Sequence, residues 1–374
     1  MHLSFLRPLI DRPGPWASVV LDATHETEDA TKALELRWRA AREELAGKGA
    51  DAATLSALEN AIINHDPLPG RYWLAAFASH GEVAMMEPIV ATPADHVAAF
   101  GPLPHAMPMV AGYGEQVAWL RVVVNRLGAD LEGATAGGVP RKGEVTGHYL
   151  YPVHRPKGGG WSQSRYQRSA QMTWEHNAKE IADAVADLAT EMMAEVLIVA
   201  GDQHARHYLI EHLPEWWQKR YIESDIGSRA HNARPEPLDD FTLRSVARLA
   251  DQHVADVLER FKIQRAHDAA AGSGLAAMVT ALQRCQVDTA LLINDLSSTA
   301  HVWVGEAPNE VAMTEQELGA MGVQRPQRVR ADAALLRALA ATEANLVLVT
   351  PDEIDLDGGV GALLRYADAS TRRH

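Results

Sequence analysis

Residues 154–180 read HRPKGGGWSQSRYQRSAQMTWEHNAKE, and the reading of this stretch decides how the rest of the chain is divided. A basic approach leads to three consecutive glycines, then to polar and aromatic residues, then to a helical pattern that predicts a long helix near 163–193. A glycine run permits backbone conformations closed to other residues and close approach to another backbone, at an entropic cost while the loop is free. It marks either an insertion finger or a hairpin tip with no ligand. Local charge bears on the choice. Residues 141–168 carry Arg141, Lys142, Arg155, Lys157, Arg165 and Arg168 against Glu144 alone, a balance of +5 in a chain whose total is −14. The acidic total argues against a protein that coats nucleic acid indiscriminately, and the basic segment is where contact with a polyanion is expected.

Working outward, VAWLRVVVNRLGADLEGAT (117–135) reads as a hairpin turning at Arg126–Gly128, and AEVLIVAGD (194–202) as a short buried strand. A helix over about 239–267 follows, capped by Asp239 and Asp240. GPLPHAMPMVAGYGEQ (101–116), with three prolines and three glycines, suits a linker, and AHDAAAGSG marks the next boundary. The N-terminal third opens with the strand ASVVLD (17–22). After a helix whose apolar face is Leu34, Trp38, Ala41 and Leu45, and a second helix over 52–64, RYWLAAFAS and EVAMMEPIV pair around HG. Thr24 has the place of a helix cap, but Thr27 three positions on lacks the carboxylate or amide of a capping box. The last third alternates helix 274–285, strand 287–293, strand 300–304, helix 331–342 and strand 345–350. Three domains result: 1–116, 117–268 and 269–374. The fold class is α/β, an α+β multidomain arrangement of mixed sheets flanked by helices.

The chain has 374 residues, 47% hydrophobic and 22% charged, as in soluble globular proteins. No run of 18 apolar residues occurs, and Arg7, Pro8 and Asp11 interrupt the N-terminal apolar stretch, so neither a membrane span nor a signal peptide is expected. Cys285 is the single cysteine, which excludes an intramolecular disulfide and multi-cysteine zinc sites and suits the cytoplasm. It lies on an apolar helix face, where burial as a small hydrophobe is expected. His204 and His207 share a helix face without an HExxH pattern, so no metal is assigned. GSGLAA (272–277) imitates part of a dinucleotide fingerprint, but it follows a helix rather than a strand and is rejected; no cofactor is expected. Trp216 and Trp217 form either a stacking platform or a core contact.

From the glycine run onward the sequence resembles the archaeo-eukaryotic class of release factors, which includes Pelota. In that class a Gly-Gly-Gln loop precedes an Arg-rich helix; the matching residues here are Gly158, Gly159, Gly160, Gln163, Ser164, Arg165, Arg168, Glu175, His176 and Asn177. DGGVGALLRY (357–366) resembles the C-terminal motif of the same class, and SGLAAMVTALQRCQVDTALLI its preceding segment. The resemblance covers 117–374 well and the N-terminal third poorly, and within the class it is to a divergent bacterial branch that includes ribosome hibernation factors.

That resemblance implies a three-domain, release-factor/Pelota-like architecture acting on the 70S ribosome. It implies contact with small- and large-subunit rRNA, delivery with elongation factor Tu or a related translational GTPase, and no role on membranes or DNA. Arg155, Lys157, Gly158, Gly159, Gly160, Trp161, Ser162, Gln163, Arg165 and Arg168 would meet rRNA, with loop 157–163 directed to the peptidyl transferase centre. Thr24, His25 and Glu26 would form a decoding-site loop, unless they are a solvated approach to the first helix. Gly358, Gly359, Gly361 and Arg365 would touch the GTPase, unless the glycines only join two core elements. The hydrolytic members place Gln directly after two glycines; here Trp161 and Ser162 intervene. A non-catalytic plug is therefore expected, with peptidyl-tRNA hydrolysis through Gln163 as the alternative. Trp161 would stack on rRNA bases or pack back onto its own domain.

Overall fold

The computed structural model describes residues 1–26, 29–68, 70–89, 96–135, 140–146, 177–229, 234–266, 271–295 and 299–366. In chain order the first part gives α1 (Arg7–Ile10), β1 (Trp16–Asp22), α2 (Ala30–Gly47), α3 (Ala52–Ile63), β2 (Trp73–Ser79), β3 (Glu82–Ile89), β4 (Val97–Gly101) and α4 (Met107–Tyr113). The middle gives β5 (Trp119–Asn125), β6 (Gly128–Ala134), β7 (Pro140–Thr146), α5 over 177–191, β8 (Val196–Gly201), α6 (Gln203–His212), β9 (Tyr221–Glu223) and α7 (Glu236–Ala266). The last part gives β10 (Ala271–Ser273), α8 (Leu275–Gln283), β11 (Val287–Ile293), β12 (His301–Val304), β13 (Val311–Ala312), α9 (Glu315–Ala320), β14 (Gln327–Arg330), α10 (Ala331–Ala341), β15 (Asn345–Val349) and β16 (Val360–Leu364). The chain forms two compact units, Met1–Glu115 with Val254–His374, and Gln116–His253.

In the first unit, the antiparallel sheet β3-β2-β1-β4 is covered on both faces. Strand β1 is buried at six consecutive positions. Ala17, Val19 and Leu21 face Leu34, Trp38, Ala41 and Leu45 of α2 and Leu55, Leu58 and Ile62 of α3. Trp16 and Val20 join a core with Phe77, Leu335, Leu336, Leu339 and Val302. Each such side chain contributes about 1.5–3 kcal/mol through removal from water. Helix α3 starts at Asp51, whose carboxylate accepts from the Thr54 amide at 2.9 Å and thereby satisfies one unpaired donor of the first turn.

The C-terminal residues of this unit add two sheets, β10-β16-β11-β15 and β13-β12-β14. Strands β11 and β15 are parallel, while β16 runs antiparallel between β10 and β11. Helix α10 is buried at Ala331, Ala333, Ala334, Leu335, Leu336, Ala338, Leu339 and Ala340, so it is apolar nearly all round as a core helix must be. The second boundary falls at 253 rather than 268 because Leu258 and Phe261 of α7 pack with Leu291, Val347 and Leu363, and residues 1–115 and 254–374 form one unit because they share a core.

Three local expectations are corrected. Residues 101–116 are not a linker: α4 begins with Pro108 in its first turn, where a missing N–H costs nothing, and Met107, Met109 and Val110 are buried. Cys285 is exposed, because α8 ends at Gln283 and the chain turns through a left-handed conformation at Cys285 (φ 53°). The GSGLAA segment begins inside the three-residue strand β10 rather than after a helix, and that strand is an edge strand antiparallel to β16, outside a parallel βαβ unit.

The second unit is built on the sheet β7-β6-β5-β8-β9. Strands β5, β8 and β9 run parallel, and β6 and β7 antiparallel. Leu120, Val122, Val124, Leu197 and Val199 pack against Ile181, Val185 and Ala189 of α5 and Leu209 of α6. Helix α7 starts at Glu236 rather than at 239, which puts Asp239 inside the helix instead of at its cap.

Candidate functional site: the base of the basic glycine-rich stretch

The β5–β6 turn is shaped by its first residue. Asn125 Oδ1 accepts from the amides of Leu127 (2.9 Å) and Gly128 (3.0 Å), a side-chain replacement for backbone pairing that tightens the turn. Gly128 pairs with Thr146, the last residue of β7. Asn177, the first described residue after 146 and 2% exposed, donates from Nδ2 to the carbonyl of Arg126 at 3.3 Å. Thr146 and Asn177, consecutive among the described residues, therefore meet at one turn.

Charged groups fix that base. Arg229 donates to Asn125 Oδ1 (3.3 Å) and Glu144 (2.8 Å) and pairs with Asp130 (2.8 Å), which joins the segment after β9 to both β6 and β7. Arg121 lies on β5, its side chain 8% exposed, with Glu132 of β6 at 2.5 Å and Asp239 of α7 at 2.6 Å. Lys142 of β7 reaches the other oxygen of Glu132 at 3.2 Å. Burial opposes ionisation of Glu132, but hydrogen bonds from Arg121 and Lys142 outweigh it and hold the carboxyl below its ordinary value.

Arg155, Lys157, Gly158, Gly159, Gly160, Trp161, Ser162, Gln163, Arg165 and Arg168 lie outside the described residues, as do Ser164, Glu175 and His176. Of the family-matching residues in this stretch, Asn177 is described. Arg229, Asn125 and Arg121 are absent from the sequence reading. An Asn before a turn glycine was legible in NRLG, whereas Arg229 is 104 residues from its Asn partner and carried no local signal.

The decoding-site candidates sit between β1 and α2. The Thr24 amide donates to Asp22 Oδ1 at 2.9 Å, His25 is exposed, and Glu26 pairs with Arg71 at 3.4 Å. Arg37 holds Asp22 at 3.0 Å. Burial raises the Asp22 carboxyl, but the Thr24 hydrogen bonds and the Arg37 charge bring it below its ordinary value. Thr24 is thus half-buried in a turn, and His25 and Glu26 face solvent.

The C-terminal motif separates into parts. Gly358 (φ 60°) and Gly359 (φ 72°) make the turn before β16, with the Asp357 amide donating to Ser273 Oγ at 3.0 Å. Gly361 lies inside β16, where a Cβ would come within 3.0 Å of Leu356 and Phe261. Leu363 and Leu364 belong to the unit's own core. Arg365, at the other end of β16, is exposed and donates to the Thr342 carbonyl at 2.6 Å. Gly358 and Arg365 are about 20 Å apart along an extended strand, so the four residues do not form one cluster.

His204 and His207 are exposed on α6, and His207 pairs with Glu211 at 3.3 Å. Among the described residues no group of three or more His, Cys, Asp and Glu is placed to hold a metal ion. None of the helices among them is long and apolar enough to cross a membrane.

Residues 118–267 match Bacterial archaeo-eukaryotic release factor family 2, and this segment covers β5 to α7. The whole chain is similar to the Mycobacterium tuberculosis protein Rv2629, an uncharacterized protein, with 30% identity over 372 residues, 98% of this chain and 97% of the relative. The chain belongs to bacterial archaeo-eukaryotic release factor family 2. Solved structures similar to this family 2 protein include ribosome-bound archaeal Pelota with ABCE1, at 12% identity and TM-score 0.42, covering 97% of this chain and 94% of that one. Another is the archaeal translation termination factor aRF1, at 14% identity and TM-score 0.24, covering 97% and 96%. The family 2 segment contains both anchors of the 147–176 stretch, Gly128 paired with Thr146 and Asn177 bonded to Arg126.

Proposed function

We infer that this family 2 protein is a ribosome-binding translation factor that occupies the A site of the 70S ribosome and silences translation, as the hibernation factor Balon does, which its sequence resembles. Loop 157–163 is directed to the peptidyl transferase centre, and elongation factor Tu or a related translational GTPase is its protein partner in the cytoplasm. One observation carries the reading: the family match encloses a basic, glycine-rich sequence of 30 residues (147–176) whose flanking residues, Thr146 and Asn177, meet at a single turn of the unit's sheet. The cationic residues Arg155, Lys157, Arg165 and Arg168 then neutralise rRNA phosphates, and Trp161 fills space or stacks on a base. No bond is made or broken in this reading.

The second reading, peptidyl-tRNA hydrolysis, is favoured by Gln163, which follows Gly160 in a Gly-x-x-Gln arrangement. The two are separated by paired measurements. Wild type should co-sediment with 70S ribosomes in a salt-sensitive manner, and a variant with Arg155, Lys157, Arg165 and Arg168 all changed to Glu should lose most of that binding. Equal co-sedimentation of the two proteins would count against the basic stretch as the contact. Gln163→Ala should leave binding unchanged; peptide release by wild type but not by Gln163→Ala would replace the silencing reading with the hydrolytic one.

A further inference from the structure

The pair Trp216–Trp217 is divided by the fold. Trp217 is fully buried in the core of the second unit, with Leu209 and Leu213, while Trp216 is 44% exposed. Their rings lie 4.1 Å apart between centroids at 33°, so Trp217 backs Trp216 with a rigid wall. The turn that carries them is closed by its own hydrogen bonds. The amides of Trp217 and Gln218 donate to the Pro214 carbonyl (2.9 and 3.1 Å), the Arg220 amide donates to the Trp217 carbonyl (2.9 Å), and Gln218 Nε2 donates to the Leu213 carbonyl (2.8 Å). An indole fixed in this way loses little freedom on binding, unlike a mobile aromatic side chain.

The same turn carries two cations, Lys219 and Arg220, and one carboxylate, Glu215. Lys219 pairs with Glu215 across an exposed i,i+4 contact at 2.8 Å, a bond that is weak in water. Arg220 is exposed, and among the described residues its side chain forms no ion pair. This turn lies at the start of β9, and the Arg220 carbonyl accepts from the Leu197 amide at the start of β8. Asn177 and the β5–β6 turn lie at the opposite, carboxyl end of the parallel strands, so the Trp216 turn and the base of the 147–176 stretch are at different ends of the sheet.

We propose that Trp216 and Arg220 form a second RNA contact, which takes a single unstacked nucleobase on the open face of the indole and an adjacent phosphate on the guanidinium. A rigid π-face four residues from an exposed guanidinium with no ion pair among the described residues fits single-stranded RNA, since every base offers a face to stack on and the phosphate supplies the counter-charge. A duplex, whose bases are covered by their neighbours, does not fit. The inference rests on the ribosome-binding reading only for the source of the RNA.

The test is an anisotropy titration of the full-length protein against a fluorescein-labelled single-stranded oligoadenylate, with the same sequence in duplex form as control. Trp216→Ala should weaken single-strand binding about tenfold, the size of one base–aromatic stack. Trp216→Tyr should retain most of the affinity, and Trp216→Leu, which keeps an apolar contact with Trp217 but has no π-face, should behave like Ala. Arg220→Ala should lower the salt slope by about one. Thermal midpoints near wild type show that the fold is kept; should Trp216→Ala melt early, the comparison of Tyr with Leu carries the result. Equal affinity of Tyr and Leu variants, or equal binding of duplex and single strand, overturns the proposal. So does a Trp216→Ala protein that loses ribosome co-sedimentation but binds oligoadenylate normally, because the platform would then meet a protein. Absence of co-sedimentation for wild type itself would sink the ribosome reading while leaving the oligonucleotide result to stand alone.

Discussion

Arg121 shows how one side chain unites elements far apart in sequence. Its guanidinium bonds Glu132, Asp239 and the Thr242 hydroxyl, so β5, β6 and α7 meet at one cation. Removing one partner of a buried pair typically costs 3–5 kcal/mol, but the two carboxylates are 39% and 47% exposed and water will recover part of that. Arg121→Met should therefore lower the unfolding free energy by about 2 kcal/mol at neutral pH. The cost should also depend on pH. Because the folded Glu132 carboxyl lies below its ordinary value of 4.5, its stabilising contribution is complete above pH 4.5 and is lost as pH falls through the folded value. Urea melts of wild type and Arg121→Met should thus converge as the pH is taken below 4.5; a gap that stays constant on acidification would show that Glu132 is not the coupled group. None of this was legible beforehand, since an Arg in a strand pattern reads as a solvent-facing position and its partner Asp239 is 118 residues away.

Strand β16 illustrates a glycine pattern with two different physical causes. Gly358 has a left-handed backbone and open space around it, so Gly358→Ala should cost about 1 kcal/mol through backbone strain alone. Gly361 has no such backbone, but its Cβ would press on Leu356 and Phe261, and Gly361→Ala should cost about 1–3 kcal/mol through overpacking. A double-mutant cycle with Phe261→Leu should recover part of the second loss and none of the first. Additivity in both cycles would remove the packing explanation. At this scale the sequence was informative where periodicity was strong. The face Leu34, Trp38, Ala41 and Leu45 of α2, the hairpin β2–β3 and strand β11 are found where the pattern placed them. It was uninformative where pairing depends on distant residues: β10, β13 and β14 are short, and the sequence pattern assigns no element to β16, whose strand is set by β10 and β11 on either side. Cys285 failed for a related reason, because a helix end set by one left-handed residue leaves no mark in an apolar pattern. Of the candidate sites, the ten rRNA residues lie outside the described part, whereas for the Trp216–Trp217 pair the core contact, one of the two alternatives, holds for Trp217.

The largest difference between sequence and structure is the shared core of residues 1–115 and 254–374. A signal for it existed: WASVVL at β1 and LAAFAS at β2 are apolar almost without alternation, the mark of strands covered on both faces. Only one of those faces is covered by α2 and α3. Leu339 of α10 belongs to the core on the other face and is fully buried. Leu339→Ala should cost about 2–5 kcal/mol. In hydrogen exchange the amides of β1 and β2 should lose protection together with those of β11, while those of β5 and β8 keep theirs. Unchanged protection of β1 in a destabilised Leu339→Ala protein would mean that the two halves of the unit open independently.

That discontinuous unit also sets a timetable for biosynthesis. The first 115 residues leave the exit tunnel with the Trp16, Val20 and Phe77 face of their sheet covered only in part, by Leu6, Leu9, Met107 and Met109, and α10 is translated more than 200 residues later. At about 5–20 residues per second the wait is on the order of ten to forty seconds. During that interval the residues of the second unit emerge and can complete their own core, so the nascent chain carries a finished inner unit before its outer one closes. Synonymous codons that slow elongation between 116 and 330 should therefore lower the soluble yield more than the same codons placed after 341.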